Sequence, residues 1–262
     1  MTLTATLLLI LIGFFAGGLG ALVGVGGGII VTPLLAIYFG LPMHQAIGVS
    51  LLCVIATSTA TSSLYVERHV TDIRLGMTLE LATTVGALIA ALIAHHINRR
   101  TLAVLFVCFL FYSAGSMVKK AWESRHAKKE EAIPDYTPQN YPAGMVASLI
   151  AGGFSGLLGI GGGPIKVPVM LLFMKVPLRV AAATSNFMIG VTAATSAYVY
   201  WGHGDIRLDM AAPLVAGVFA GSLLGARISP RIRPFYILML LVGVTSWLAI
   251  EMIYKLLTGG FQ

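Results

Sequence analysis

Charge is scarce in this chain. Of its 262 residues only 10% are charged, against about 25% for an ordinary soluble domain, and acids number only 10. The mean hydropathy is +0.89. Too few charged side chains are present to cover the surface of a soluble protein of this length. This excludes a soluble enzyme, a disordered chain and a DNA-binding domain. Cysteine is nearly absent as well. Cys53 and Cys108 lie in apolar runs, with no CxxC pair and no loop cysteine, so they read as small core residues rather than redox or metal groups. No HExxH or Cys/His spacing is present. His44, His69, His95, His96, His126 and His203 fall at span ends or in loops, and neither a metal nor a cofactor is expected.

What is abundant is long apolar sequence. Leu3 to Val23, Ala46 to Val66, Leu75 to Ala94, Leu102 to Val118, Val180 to Trp201, Met210 to Ala226 and Phe235 to Tyr254 carry almost no charge. Each is near the roughly 20 residues that cross a bilayer as a helix. Lipid cannot satisfy an open sheet edge, so the expected fold is an all-α polytopic membrane protein in the cell membrane. Met1 to Gly20 has no basic residue ahead of its apolar stretch, so a removable leader is not expected. The net charge of +7 sits mostly in short loops, where it sets topology and does not imply nucleic acid.

The chain repeats itself. Gly24-Val25-Gly26-Gly27-Gly28-Ile29-Ile30-Val31-Thr32-Pro33 matches Gly159-Ile160-Gly161-Gly162-Gly163-Pro164-Ile165-Lys166-Val167-Pro168 at six of ten positions, with an offset of 135. The offset holds from Ala16-Gly17-Gly18 and Ala151-Gly152-Gly153 to Pro42 and Pro177, and to Ser50 and Ser185. Beyond a small gap, Asp72-Ile73-Arg74-Leu75 matches Asp205-Ile206-Arg207-Leu208, and Gly86 matches Gly217. Both aspartates read as helix caps. Gene duplication explains such a colinear series. The expected division is a first transmembrane repeat over 1–118, a polar interhalf loop over 119–142 and a second repeat over 143–262.

Each repeat reads as a Gly-broken helical element, re-entrant or discontinuous, followed by three transmembrane helices. Crossing parity per half is then odd. Of the 17 basic residues 12 collect on one side, including Arg68, Lys119 and Arg179, and four, Arg99, Arg100, Arg207 and Lys255, fall on the other, with Lys166 in the membrane. Four crossings per half would leave no such bias. The positive-inside rule therefore favours inverted repeats, with both termini outside and the interhalf loop in the cytoplasm.

Two short apolar pieces flank the second glycine cluster, Met145 to Leu158 and Pro164 to Val176. As helices they reach only about 20 Å, less than a ~30 Å hydrocarbon core. Unwound backbone at membrane depth belongs beside a cavity or inside protein, and paired breaks point to a transporter binding site. Close packing is the alternative use of glycine, and Gly217, Gly221 and Gly225 fit it. The clusters are not nucleotide loops, because no GxxxxGK[ST] is present.

Lys166 replaces Val31 of the first copy, so the fold does not require it. A charge at membrane depth marks a functional site unless it snorkels to an interface. No carboxylate lies near it in sequence. Half-helix N-termini after the glycines add positive potential, so the expected ligand is an anion. The candidate substrate-binding residues are Gly26, Gly27, Gly28, Ser50, Gly161, Gly162, Gly163, Lys166, Thr184, Ser185 and Asn186.

Two GxGGG-x-x-x-x-P elements, each opening a half, with Ala182-Ala183-Thr184-Ser185 and the D-I-R-L segments, resemble the sulfite exporter TauE/SafE family, also called the toluene-sulfonate uptake permease family. The resemblance covers essentially the whole chain. It implies transport of sulfite, sulfonates, sulfoacetate, thiosulfate or related small anions, often outward. It lands on the motif glycines, on Pro33 and Pro168, and on Ser50 and Thr184-Ser185. The first copy departs from the pattern, with Val49 opposite Thr184 and no counterpart of Lys166.

The expected partners are a small anion and the lipid bilayer, with room for a homo-oligomer. Inside-negative potential favours anion export by about 2.3 kcal/mol per charge per 100 mV without a coupling ion, and acids that could carry protons are scarce within the spans. Competing readings are an anion channel, a proton-coupled uptake permease for an organic anion, and an intramembrane enzyme. The last lacks any Ser/Lys, GxSxG, paired-Asp or HExxH arrangement.

Overall fold

The computed structural model describes residues 3–126, 136–229 and 234–258. Among the described residues the regular structure is ten α-helices: α1 (Leu3–Val23), α2 (Gly28–Tyr38), α3 (Met43–Glu67), α4 (Ile73–Ala94), α5 (Arg99–His126), α6 (Tyr141–Leu158), α7 (Gly163–Leu172), α8 (Leu178–Gly202), α9 (Leu208–Ile228) and α10 (Pro234–Leu257). Seven of them, α1, α3, α4, α5, α6, α9 and α10, are long and apolar enough to cross a membrane. The outer faces carry exposed Leu, Ile, Phe and Trp side chains, such as Leu81, Phe15 and Trp122, as a lipid-facing surface requires.

Local sequence sets the boundaries. Pro42 and Pro177, with no N–H to bond, sit at the N-caps of α3 and α8. Asp72 caps α4 by accepting the Leu75 amide at 2.9 Å. Asp205 does not cap α9: Arg207 occupies that position, and Asp205 instead faces His95, Oδ2 to Nδ1 at 3.5 Å. α6 begins at Tyr141, four residues before the apolar stretch, with Pro142 in its first turn, so it is a spanning-length helix of 18 residues. α5 runs on to His126, about two turns beyond the apolar run and into the segment read as polar loop. The rest of that loop, residues 127–135, lies outside the described residues. α8 is as long as α3, at 25 residues, but is too polar to join the seven.

The halves interlock with partners exchanged. The most extensive helix contacts are α1 with α9 and α4 with α6, each joining one half to the other. Glycines make this possible. A Cβ at Gly221 of α9 would collide with the Phe14 carbonyl on α1, and one at Gly86 of α4 with the Leu149 carbonyl on α6. Phe14 and Leu149 are themselves 135 apart, as are Gly86 and Gly221. The offset thus runs unbroken through α4 and α9, and Gly86 corresponds to Gly221, not Gly217. The D-I-R-L segments match in letters but sit two residues apart relative to the helices they precede.

Candidate functional site

Between α1 and α2 the chain unwinds over residues 24–27, and between α6 and α7 over residues 159–162. Gly24, Gly26, Gly159, Gly161 and Gly162 all have φ between +69° and +80°, a region costly for any residue with a Cβ. The two breaks pack directly on each other. A Cβ on Gly28 would meet the Gly159 carbonyl, and one on Gly163 would meet the Gly24 carbonyl. α2 and α7 have 11 and 10 residues, so each reaches only about 15–16 Å. Their N-caps are Gly27 and Gly162, with no capping side chain. The positive ends of two short helices therefore start at the same place.

α3 and α8 pack against each other and flank the breaks. Ser50 Oγ donates to the Gly159 carbonyl at 3.0 Å and to the Gly28 carbonyl at 3.3 Å. Ser185 Oγ donates to the Gly24 carbonyl at 3.4 Å. Each serine thus braces the break of the opposite half, and neither hydroxyl proton points at open space. Val54 and Ile189, also 135 apart, lie against both Gly26 and Gly161. Thr184 Oγ1 accepts the Asp72 amide at 3.0 Å, tying α8 to the start of α4. Asn186 is different. Its side chain is buried and, among the described residues, neither its Oδ1 nor its Nδ2 has a partner, a costly condition for an amide. The first copy has Leu51 there.

Lys166 is buried on α7 and does not snorkel. Its Nζ lies 3.3 Å from Glu80 Oε2 on α4 and 3.1 Å from Thr192 Oγ1 on α8. Thr192 Oγ1 also donates to Glu80 Oε1, as does Thr84 Oγ1 at 3.3 Å. The neutralising carboxylate comes from a different helix, far away in sequence. Sequence reasoning missed this role for Glu80 and Thr192. A signal was present: at the uniform offset Glu80 stands opposite Val215, as Lys166 stands opposite Val31. The gap introduced to align the D-I-R-L letters hid it.

A cavity of about 20 Å³ lies beside the second break, lined by Val25, Gly163, Pro164, Val167 and Met117 among others, with room for about one water. At one end of the helices three histidines converge. His95 stacks on His203 at 4.1 Å and meets His44 edge-on at 5.9 Å. Among the described residues no cluster has the geometry of a metal site. The positions opposite His44 and His203 are Arg179 and Arg68.

Comparison with known proteins agrees with this architecture. The family model for the sulfite exporter TauE/SafE matches residues 9–252. The chain is 29% identical to the probable membrane transporter protein YunE of Bacillus subtilis, over 95% of this chain and 97% of that one. It is 27% identical to the probable membrane transporter protein MJ0441 of Methanocaldococcus jannaschii, over 94% of each chain. No solved structure matches it. The relatives are named as membrane transporters, and the chain belongs to the sulfite exporter TauE/SafE family of membrane transporters.

Proposed function

We propose that this transporter moves a small sulfur-containing anion, of the sulfite, sulfonate, sulfoacetate or thiosulfate class, outward across the cytoplasmic membrane. The site lies where the two breaks meet. Gly26 to Gly28 and Gly161 to Gly163 present backbone amides, Lys166 supplies charge, and Asn186 supplies an amide donor. Ser50, Thr184 and Ser185 hold the breaks and α4 in register around the anion. The observation that carries this reading is the unpartnered Asn186 side chain, buried next to Ser185, which itself bonds the first break. A buried amide without partners calls for an explanation, and a bound anion beside it supplies one.

The breaks pack tightly here, so access requires movement, and alternating access between the two faces is the proposed mechanism. His44 at the start of α3 and His203 at the end of the equivalent α8 both meet His95, so equivalent helices run in opposite directions, which supports inverted repeats about an axis in the membrane plane. The basic residues then place Arg68 and Arg179 at the cytoplasmic mouth and the histidine cluster at the outer one. Outward movement follows from the potential, worth about 2.3 kcal/mol per charge per 100 mV.

Liposome flux with sulfite, thiosulfate, sulfoacetate and sulfate tests substrate class. Saturable flux of at least one sulfur anion, faster when the potential is positive on the destination side, is the expected result. Ohmic current without saturation makes the protein a channel. Cysteine labelling at Ser124 and Gly259 tests orientation, and accessibility of both from the same face rejects odd crossing parity.

A further inference from the structure

Lys166 is already occupied. Its ammonium bonds a carboxylate and a hydroxyl, and its side chain is 1% exposed. An anion that uses this charge meets Glu80 first. If Glu80 stays ionised, two negative groups crowd one cation in a site closed to water. Like charges that share a buried site are relieved by protonating one of them.

Among the described residues nothing else nearby takes that proton. α7 contributes only Lys166 as an ionisable group. On α6, packed along α4, the ionisable group is Tyr141 at its first position. α8 offers Thr192, with no ionisable side chain between Arg179 and Tyr198. On α4 itself Arg74 is exposed, more than a turn away. Asp72, the cap, is engaged by the Leu75 amide and by Tyr136 Oη at 2.8 Å.

We propose that Glu80 is a tethered stand-in for the substrate: it occupies Lys166 in the empty carrier, and it takes up a proton when the anion displaces it. This rests on the anion-transport reading and names its coupling. The chemistry is one proton transfer. The Glu80 carboxylate gains a proton from the water on the side the anion enters from and becomes a neutral carboxyl. Its contact to Nζ passes to the anion, Lys166 stays an ammonium throughout, and the proton is released with the anion on the other side. Empty and loaded sites then differ only by the anion and one proton. A singly charged anion crosses with no net charge, so for it the potential supplies no outward drive and the outward reading applies to doubly charged substrates. A doubly charged one still carries one negative charge, so the potential still drives it outward.

The test uses the wild-type protein in liposomes with a pH indicator trapped inside. The probes are thiosulfate and methanesulfonate, anions of strong acids that do not ferry protons across lipid by themselves. Entry of either probe should acidify the interior by about one proton per anion. Apparent affinity should improve up to about tenfold for each unit of falling pH while Glu80 is ionised, the slope of a single linked proton. Glu80→Gln, neutral and nearly isosteric, should abolish the acidification, flatten the pH dependence and bind more tightly at high pH. Anion entry without proton entry overturns the proposal, and so does a Glu80→Gln variant that keeps the wild-type pH slope. If that variant fails to insert, the wild-type proton count decides alone. If the wild type moves neither probe nor sulfite, the anion reading itself falls, and this proposal falls with it.

Discussion

At the uniform offset Lys166 stands opposite Val31 and Glu80 opposite Val215, each in the other's half. Replacing Lys166 alone with valine strands a buried carboxylate, which should cost about 3–5 kcal/mol. Replacing both with valine recreates the apolar Val31 and Val215 arrangement of the symmetry-related position and should restore most of that loss. Thermal unfolding in detergent of the two single variants and the double variant checks this, and equal losses in all three would deny the pairing. Asn186→Leu copies Leu51. It should raise stability by about 1–3 kcal/mol, since an unsatisfied amide is removed, while anion affinity in the same assay falls about tenfold. A loss of stability would mean that Asn186 is held by partners of its own. Lys166 was legible in the sequence because a charge breaks an apolar run. Its partner was not, because the pairing spans two helices and the gapped register set Glu80 against the wrong residue. Asn186 was legible as a costly amide, whereas the crossing of Ser50 and Ser185 to the opposite breaks needed the fold.

Helix pairing depends on backbone contact. A methyl at Gly221 pushes into the Phe14 carbonyl, so Gly221→Ala should lower stability by about 1–3 kcal/mol. Gly153, on the same kind of helix, has open space at its Cβ position. Gly153→Ala should instead raise stability by up to about 1 kcal/mol, through helix propensity alone. Unfolding midpoints of the two variants compare the effects directly. The broken elements were readable because GVGGG and GIGGG each interrupt apolar sequence. The length of α6 was not, since Tyr141 and Pro142 look like loop residues until the fold shows a proline in a first helical turn. α8 looked like an ordinary span. It carries Asn186 besides its hydroxyls, and it packs against α3, α4 and α7.

Across the whole molecule, α4 has its main contacts with α6 and α8, and α9 with α1 and α3. Both helices therefore find their main packing partners in the opposite half. Coding residues 1–134 and 135–262 as separate chains should give two fragments that are degraded when made alone and recovered together when made together. Co-purification through a tag on one fragment measures this, and a stable lone half would refute it. The same exchange of partners bears on how such a chain arose. In a half-length ancestor packed in this way, the fourth helix would find its mate only on a second identical subunit, as in a homodimer. In a homodimer every substitution appears twice. A lysine at position 31 or a glutamate at position 215 would have accompanied any early Lys166 and Glu80. Fusion into one chain removed that constraint, and it let a single ion pair enter one side of the molecule while the other side stayed apolar.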